Sequence, residues 1–97
     1  MNIYDYITPQ SGETFTTLLE HENIKINRIV SSNNIEVTEY TQEEDEWLVL
    51  LEGEATLLLN DEKKKLTKGD TIFIPSKVPH RVLSTQSGTV WLTIHIF

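Results

Sequence analysis

The stretch that decides the fold spans residues 46–54 and reads Glu-Trp-Leu-Val-Leu-Leu-Glu-Gly-Glu. Its uninterrupted apolar run, Trp47 to Leu51, predicts a strand that is covered on both faces. Gly53 ends this run, and a second apolar run resumes at residues 55–59. Two buried strands so close together in the chain indicate a β-sheet protein with a compact core.

The same pattern continues on both sides of this stretch. Runs rich in β-branched and aromatic residues, bounded by turn-forming residues, predict further strands at residues 24–30, 35–40, 63–66, 71–74, 80–85 and 89–96. Residues 8–20 differ, because Ser11 could cap a helix and Phe15, Leu18 and Leu19 fall at helical spacing. We therefore predict one short N-terminal helix followed by about eight strands, a spacing typical of an all-β sandwich or barrel.

Composition narrows the function classes. The chain has 97 residues, no cysteine and a formal net charge of −7. It therefore fits one domain over residues 1–97, without disulfides, a thiolate metal site or a cysteine nucleophile. The acidic balance argues against nucleic acid as a partner.

Neither a signal peptide nor a membrane-spanning run is recognisable, so we expect a cytoplasmic protein with no membrane partner. A small core without cross-links favours a homodimer.

Two spaced motifs in residues 40–83 resemble those of the cupin family. In the first, Glu46 is followed by six residues and Gly53; in the second, Gly69, Pro75 and His80 stand at matching positions. The segments 40–47, 80–82 and 89–92 are also similar to a subgroup of short cupins. The resemblance implies a double-stranded β-helix (jelly-roll) barrel. It divides the chain into an N-terminal extension with the helix, residues 1–22, and a barrel, residues 23–97.

The resemblance also implies a metal site, which this sequence alters. Cupin metal centres usually combine three histidines and one glutamate around Fe, Mn, Ni or Zn. The two early histidines are absent, and their places fall on Tyr40 and Gln42, or on Glu39 and Thr41. Lys77 and Ser84 also replace a glycine and an asparagine of the second motif. The candidate metal ligands are therefore the following: Glu46, His80, Gln42, Tyr40 and His95.

Each candidate residue has a competing structural interpretation. His80 either faces the barrel or bonds to a backbone carbonyl, and Glu46 either faces the barrel or pairs with Arg81 at the rim. His95 shares one strand face with Trp91 and Thr93, so it is a ligand, an acid–base group, or a core or interface histidine.

The aromatic residues also have two interpretations, whereas the neighbouring acidic run has one. Tyr40, Trp47 and Trp91 either form an aromatic wall for a small molecule or pack in the core or a dimer contact. Residues 43–45, all acidic, read as a solvated loop.

These observations predict a small cupin that binds a small molecule in its barrel, with or without a divalent metal, and they assign no specific reaction. If the protein is an enzyme, Glu46 or His80 would act as metal ligand or general base. The alternatives are a non-enzymatic ligand-binding or sensor module that has lost its metal, and a structural dimerisation unit. The wide range of functions on this fold prevents a finer assignment.

Overall fold

The computed structural model describes residues 1–97 and is built entirely from strands, turns and loops. Its eight strands are β1 (Glu13–His21), β2 (Ile24–Ser31), β3 (Asp45–Glu52), β4 (Glu54–Leu59), β5 (Glu62–Thr67), β6 (Thr71–Ile74), β7 (His80–Thr85) and β8 (Thr89–Ile96). They form a five-stranded sheet in the order β1-β2-β8-β3-β6 and a three-stranded sheet in the order β5-β4-β7. All strand pairs are antiparallel, as expected for a jelly-roll barrel.

Alternation along the strands separates an inner face from an outer face. In β3 the inward residues Glu46, Leu48 and Leu50 are buried, while the residues between them are only half-buried. The core between the sheets is made by Leu48, Leu50, Ala55, Leu57, Leu66, Ile74 and Trp91. The apolar run at residues 47–51 is therefore a strand with one fully buried face and one partly covered face.

The outer face of the large sheet carries an apolar row that crosses all five strands. Register pairing aligns Leu19 with Ile26, Ile26 with Ile94, Ile94 with Trp47, and Trp47 with Phe73. We call these five residues the outer apolar row. Its two ends are exposed, with Leu19 at 49% and Phe73 at 52% relative exposure.

The predicted N-terminal helix is wrong, because residues 13–21 form strand β1. Thr14, Phe15 and Thr16 pair with β2, so these residues belong to the sheet rather than to an extension outside the barrel. A bulge between Thr17 and Leu19 shifts the register. A bulge interrupts the alternation of a strand, which explains why the apolar residues of this segment imitated helical spacing.

The strand predicted at residues 35–40 is also absent, apart from a single bridge between Tyr40 and His80. Both edges of β2 are already occupied, by β1 and β8, so this segment has no place beside β2. It runs as a largely exposed connection in which Val37 is 48% exposed.

The turn at Gly53 joins the two sheets at a point of close backbone approach. Gly53 has a φ of +86°, in the left-handed region that favours glycine. A Cβ atom at this position would lie 2.4 Å from Thr89 Oγ1 and 2.7 Å from Thr89 Cα. The glycine that ends the first motif is therefore required by both conformation and space. No helix in the structure meets the length and apolarity needed to cross a membrane.

Candidate functional site

A cavity of about 240 Å³ lies between the two sheets. Its walls are mainly apolar and include Leu48, Leu57, Ile74, Val82 and the ring of Trp91. Its polar and aromatic lining residues are the following: Glu13, Phe15, Asn27, Tyr40, Gln42, Glu46, His80, Thr93 and His95. An apolar cavity with a few convergent polar groups is the usual form of a small-molecule site.

Glu46 places a carboxylate inside this cavity. It is the second residue of β3 and is only 7% exposed. Gln42 Nε2 donates a 2.9 Å hydrogen bond to Glu46 Oε1, and His95 Nδ1 lies 3.8 Å from the same oxygen. Arg81 is exposed and forms no ion pair with it, so the rim pairing considered from the sequence does not occur.

His95 borders the cavity with Trp91 and Thr93, as their shared strand face indicated. Its Nδ1 is 2.9 Å from Glu44 Oε2, and its Nε2 is 3.3 Å from Thr93 Oγ1. Because a carboxylate only accepts hydrogen bonds, Nδ1 carries a proton in this contact. The sequence predicts a solvated loop at Glu44, yet the Glu44 side chain is only 16% exposed. The long-range approach of the loop to β8 carries no local sequence signal.

His80 is 8% exposed and begins β7, where its ring lines the cavity beside Tyr40. Its Nδ1 lies 3.1 Å from the backbone oxygen of Val78, so both interpretations of this histidine apply at once. With Nδ1 donating to a carbonyl, Nε2 is the nitrogen left to meet a ligand. Two backbone hydrogen bonds between Tyr40 and His80, 2.8 and 3.0 Å long, hold the connecting segment against β7. The two rings lie 6.0 Å apart.

A second carboxylate, not singled out from the sequence, enters from β1. Glu13 lines the cavity and accepts a hydrogen bond from Ser31 Oγ. The same Ser31 oxygen accepts a 3.0 Å hydrogen bond from Trp91 Nε1. This chain fixes the Trp91 ring and the Glu13 carboxylate together. The erroneous helix prediction for residues 8–20 concealed the inward position of Glu13.

The predicted aromatic wall is formed only in part. Tyr40 and Trp91 line the cavity and are joined there by Phe15, but Trp47 does not line it. Trp47 belongs to the outer apolar row, since it follows the inward residue Glu46 and adjacent residues of a strand face opposite ways. The two tryptophans of the chain therefore lie on opposite faces of one sheet.

The predicted metal ligands Gln42, Glu46, His80 and His95 all line the cavity, but the donors do not fit a bound metal as they are arranged. No three His, Asp or Glu side chains come together in a geometry that could hold a metal ion. His80 Nδ1 already contacts a carbonyl oxygen, and both ring nitrogens of His95 have partners, Glu44 at Nδ1 and Thr93 at Nε2. A catalytic zinc site typically has three protein ligands. A metal here stays a prediction, and no chemistry is derived from one.

The fold and the cavity define a jelly-roll barrel with a ligand-sized interior. A model of the family described as Cupin domain matches residues 29–95, which is most of the chain. The protein belongs to the cupin family.

Several proteins are similar over much of this chain. An uncharacterized protein of Aquifex aeolicus is 37% identical over 82 residues, covering 77% of this chain and 68% of its own length. An uncharacterized protein of Methanocaldococcus jannaschii is 42% identical over 53 residues, covering 55% of this chain. The matching region spans only 41% of the Methanocaldococcus protein.

Solved structures show the same fold. A Ralstonia eutropha protein, provisionally named a mannose-6-phosphate isomerase, has a TM-score of 0.90 at 28% identity, covering 99% of this chain and 95% of its own. An RmlC-like cupin of Shewanella frigidimarina has a TM-score of 0.81 at 20% identity, covering 89% of this chain and 77% of its own. The second likeness bears on the fold alone.

Proposed function

We propose that this cupin binds a small organic molecule in the cavity between its two sheets, with the polar part of the ligand held by Glu46, Gln42, His80 and His95. The observation that carries the proposal is the convergence of these four side chains on one cavity with apolar walls. They come from a connecting segment and three different strands. Polar groups that are far apart in the sequence but meet in one apolar cavity are typical of ligand sites.

Burial of the polar groups supports this proposal. Glu46 and His80 are each more than nine-tenths buried. Burying a carboxylate is unfavourable unless hydrogen bonds compensate the lost hydration. Glu46 receives a hydrogen bond from Gln42 alone, so further hydrogen-bonding capacity remains for a ligand.

The neighbouring Ralstonia protein does not supply the reaction. Its provisional name implies an isomerase acting on a phosphorylated sugar. Such a substrate carries a phosphate group, which proteins commonly bind with arginine or lysine. No arginine or lysine lines the cavity of the present chain. We therefore propose ligand binding without transferring that activity.

The two tryptophans provide the test, because Trp91 lines the cavity and Trp47 does not. The experiment records the two indole N–H signals of ¹⁵N-labelled protein by NMR during titration with benzyl alcohol, a neutral probe small enough for the cavity. Trp47→Phe assigns the signals. We expect the Trp91 signal to shift while the Trp47 signal stays in place, with a dissociation constant of about 1 mM for so small a probe.

Val82→Phe provides a matched control, since Val82 lines the cavity and carries no polar group. The larger ring should fill part of the cavity and abolish the Trp91 shift while leaving the rest of the spectrum native. If benzyl alcohol shifts both tryptophans equally, or still shifts Trp91 in the filled variant, the cavity is not the binding site.

A further inference from the structure

We infer that the cavity selects a positively charged organic ligand, an ammonium compound, over neutral and anionic molecules of the same shape. This inference rests on the proposed function and adds the chemical class of the ligand. Its basis is the set of ionisable groups that face the cavity, which contains acidic residues and histidines but no lysine or arginine.

The carboxylates of the cavity lack cationic partners of fixed charge. Glu13 receives its hydrogen bond from the neutral Ser31 hydroxyl, and Glu46 receives its bond from the neutral Gln42 amide. Neither carboxylate forms an ion pair with a lysine or arginine. Lys25 is the register neighbour of His95 but does not line the cavity.

The two histidines do not outnumber the carboxylates at the cavity. Glu44 adds a third carboxylate next to His95, at 2.9 Å. Even if His95 and His80 both carried a proton, the carboxylates of Glu13, Glu44 and Glu46 would outnumber them. In a partly buried site, where effective dielectric constants are far below that of water, such an excess favours a cation strongly.

The aromatic lining favours an organic cation in particular. Tyr40, Trp91 and Phe15 present rings to the cavity, and aromatic faces attract ammonium groups. The apolar walls would accept the hydrocarbon part of an amine, and the carboxylates would accept hydrogen bonds from its N–H groups. A bare metal ion would use neither the aromatic rings nor the apolar walls.

The test compares three probes of nearly equal size: benzylamine, which is protonated at pH 7, neutral benzyl alcohol, and anionic benzoate. Binding is followed by the Trp91 indole signal in protein treated with EDTA. We expect benzylamine to bind at least about tenfold more tightly than benzyl alcohol, and benzoate to bind most weakly. Benzoate binding as well as benzylamine would overturn the inference, whereas failure of all three probes to shift Trp91 would refute the proposed function instead.

Two charge-neutralising variants separate the cavity from the general negative charge of the protein. Glu46→Gln removes a cavity carboxylate, and Glu36→Gln removes an exposed one outside the cavity. Glu46→Gln should weaken benzylamine about tenfold and reduce its preference over benzyl alcohol, whereas Glu36→Gln should leave the affinities for both probes unchanged. Glu13→Gln should act in the same direction as Glu46→Gln. Equal losses in Glu36→Gln and Glu46→Gln would show that surface charge alone attracts the amine and would overturn the inference.

Salt and metal provide the remaining controls. Surface attraction is screened over about 3 Å at about 1 M ionic strength, whereas contacts inside the cavity are screened much less. The preference for benzylamine over benzoate should therefore survive such salt. Loss of this preference in high salt would count against an organic ammonium site. Complete displacement of benzylamine by ZnCl₂, followed by the Trp91 signal, would also count against it.

Discussion

Replacement of Gly53 by alanine tests how closely the two sheets approach at the turn between β3 and β4. The new Cβ would lie 2.4 Å from Thr89 Oγ1 and 2.7 Å from Thr89 Cα. Thr89 is fully buried, and its hydroxyl donates to the carbonyl oxygens of Gln86 and Glu54 at 2.7 and 3.1 Å. It therefore has no room to withdraw, and the backbone itself must shift.

A matched variant separates the conformational part of the stability loss from the part caused by the contact with Thr89. Gly69 has a φ of +91°, close to the +86° of Gly53, but a Cβ built there meets no atom within 4 Å. Gly69→Ala should therefore lose only the conformational contribution, about 1–2 kcal/mol of the free energy of unfolding. Gly53→Ala should lose that contribution together with about 1–3 kcal/mol for overpacking. We expect a total loss of about 2–5 kcal/mol for Gly53→Ala.

Urea denaturation followed by tryptophan fluorescence and circular dichroism measures both variants against the unchanged protein. If Gly53→Ala is too unstable to purify while Gly69→Ala folds, the expectation is met in its extreme form. Equal losses in the two variants would refute the reasoning, because the contact with Thr89 would then contribute nothing.

Three further predictions concern other parts of the chain. Lys77 has a φ of +67° where the cupin motif has glycine. Lys77→Gly should therefore raise the free energy of unfolding by about 0.5–1 kcal/mol in urea titrations. A lower free energy of unfolding would show instead that the contact of Lys77 with Glu43 outweighs the backbone strain. Zn, Ni, Mn and Fe(II) should bind weakly or substoichiometrically in calorimetry, and His80→Ala should remove this binding; equal binding to both proteins would place the metal elsewhere. The outer apolar row contains no charged side chain and its two ends are exposed, so we expect a second copy to cover it. Light scattering should therefore give twice the 11.2 kDa chain mass, and Phe73→Lys should give a monomer with an unchanged Trp91 signal, whereas a monomeric unchanged protein would contradict the prediction.

Much of the barrel could be predicted because its strands alternate cleanly. The strands from residue 45 onward lie close to the segments expected from the sequence, and the cupin family assignment is confirmed. The two failures share a cause that lies outside local sequence. A bulge gave the apolar residues of β1 a helix-like spacing, and residues 35–40 alternate like a strand although only Tyr40 pairs with one, at His80 of β7.

The residues of the candidate site could likewise be predicted only in part. Gln42, Glu46, His80 and His95 were singled out from the sequence and all line the cavity. Their role in ligand or metal binding stays a prediction. The position of Trp47 could have been predicted better, since its neighbour Glu46 cannot share its face.

Two further acidic groups could not have been found in the same way. Glu13 points into the cavity only because β1 pairs with β2, and Glu44 approaches His95 only because a loop folds over β8. Neither arrangement has a signature in local sequence.

The ionisable cavity residues Glu46, His80 and His95 lie at or next to strand ends, whereas Leu50 and Leu57 of the core lie further inside their strands. Glu46 lies at the beginning of β3 and His95 at the end of its antiparallel partner β8, while His80 begins β7. Leu50 and Leu57, further along β3 and β4, make the packing that holds the sheets together. Substitutions at these strand ends should therefore change the polar lining of the cavity without removing the packing that holds the two sheets together.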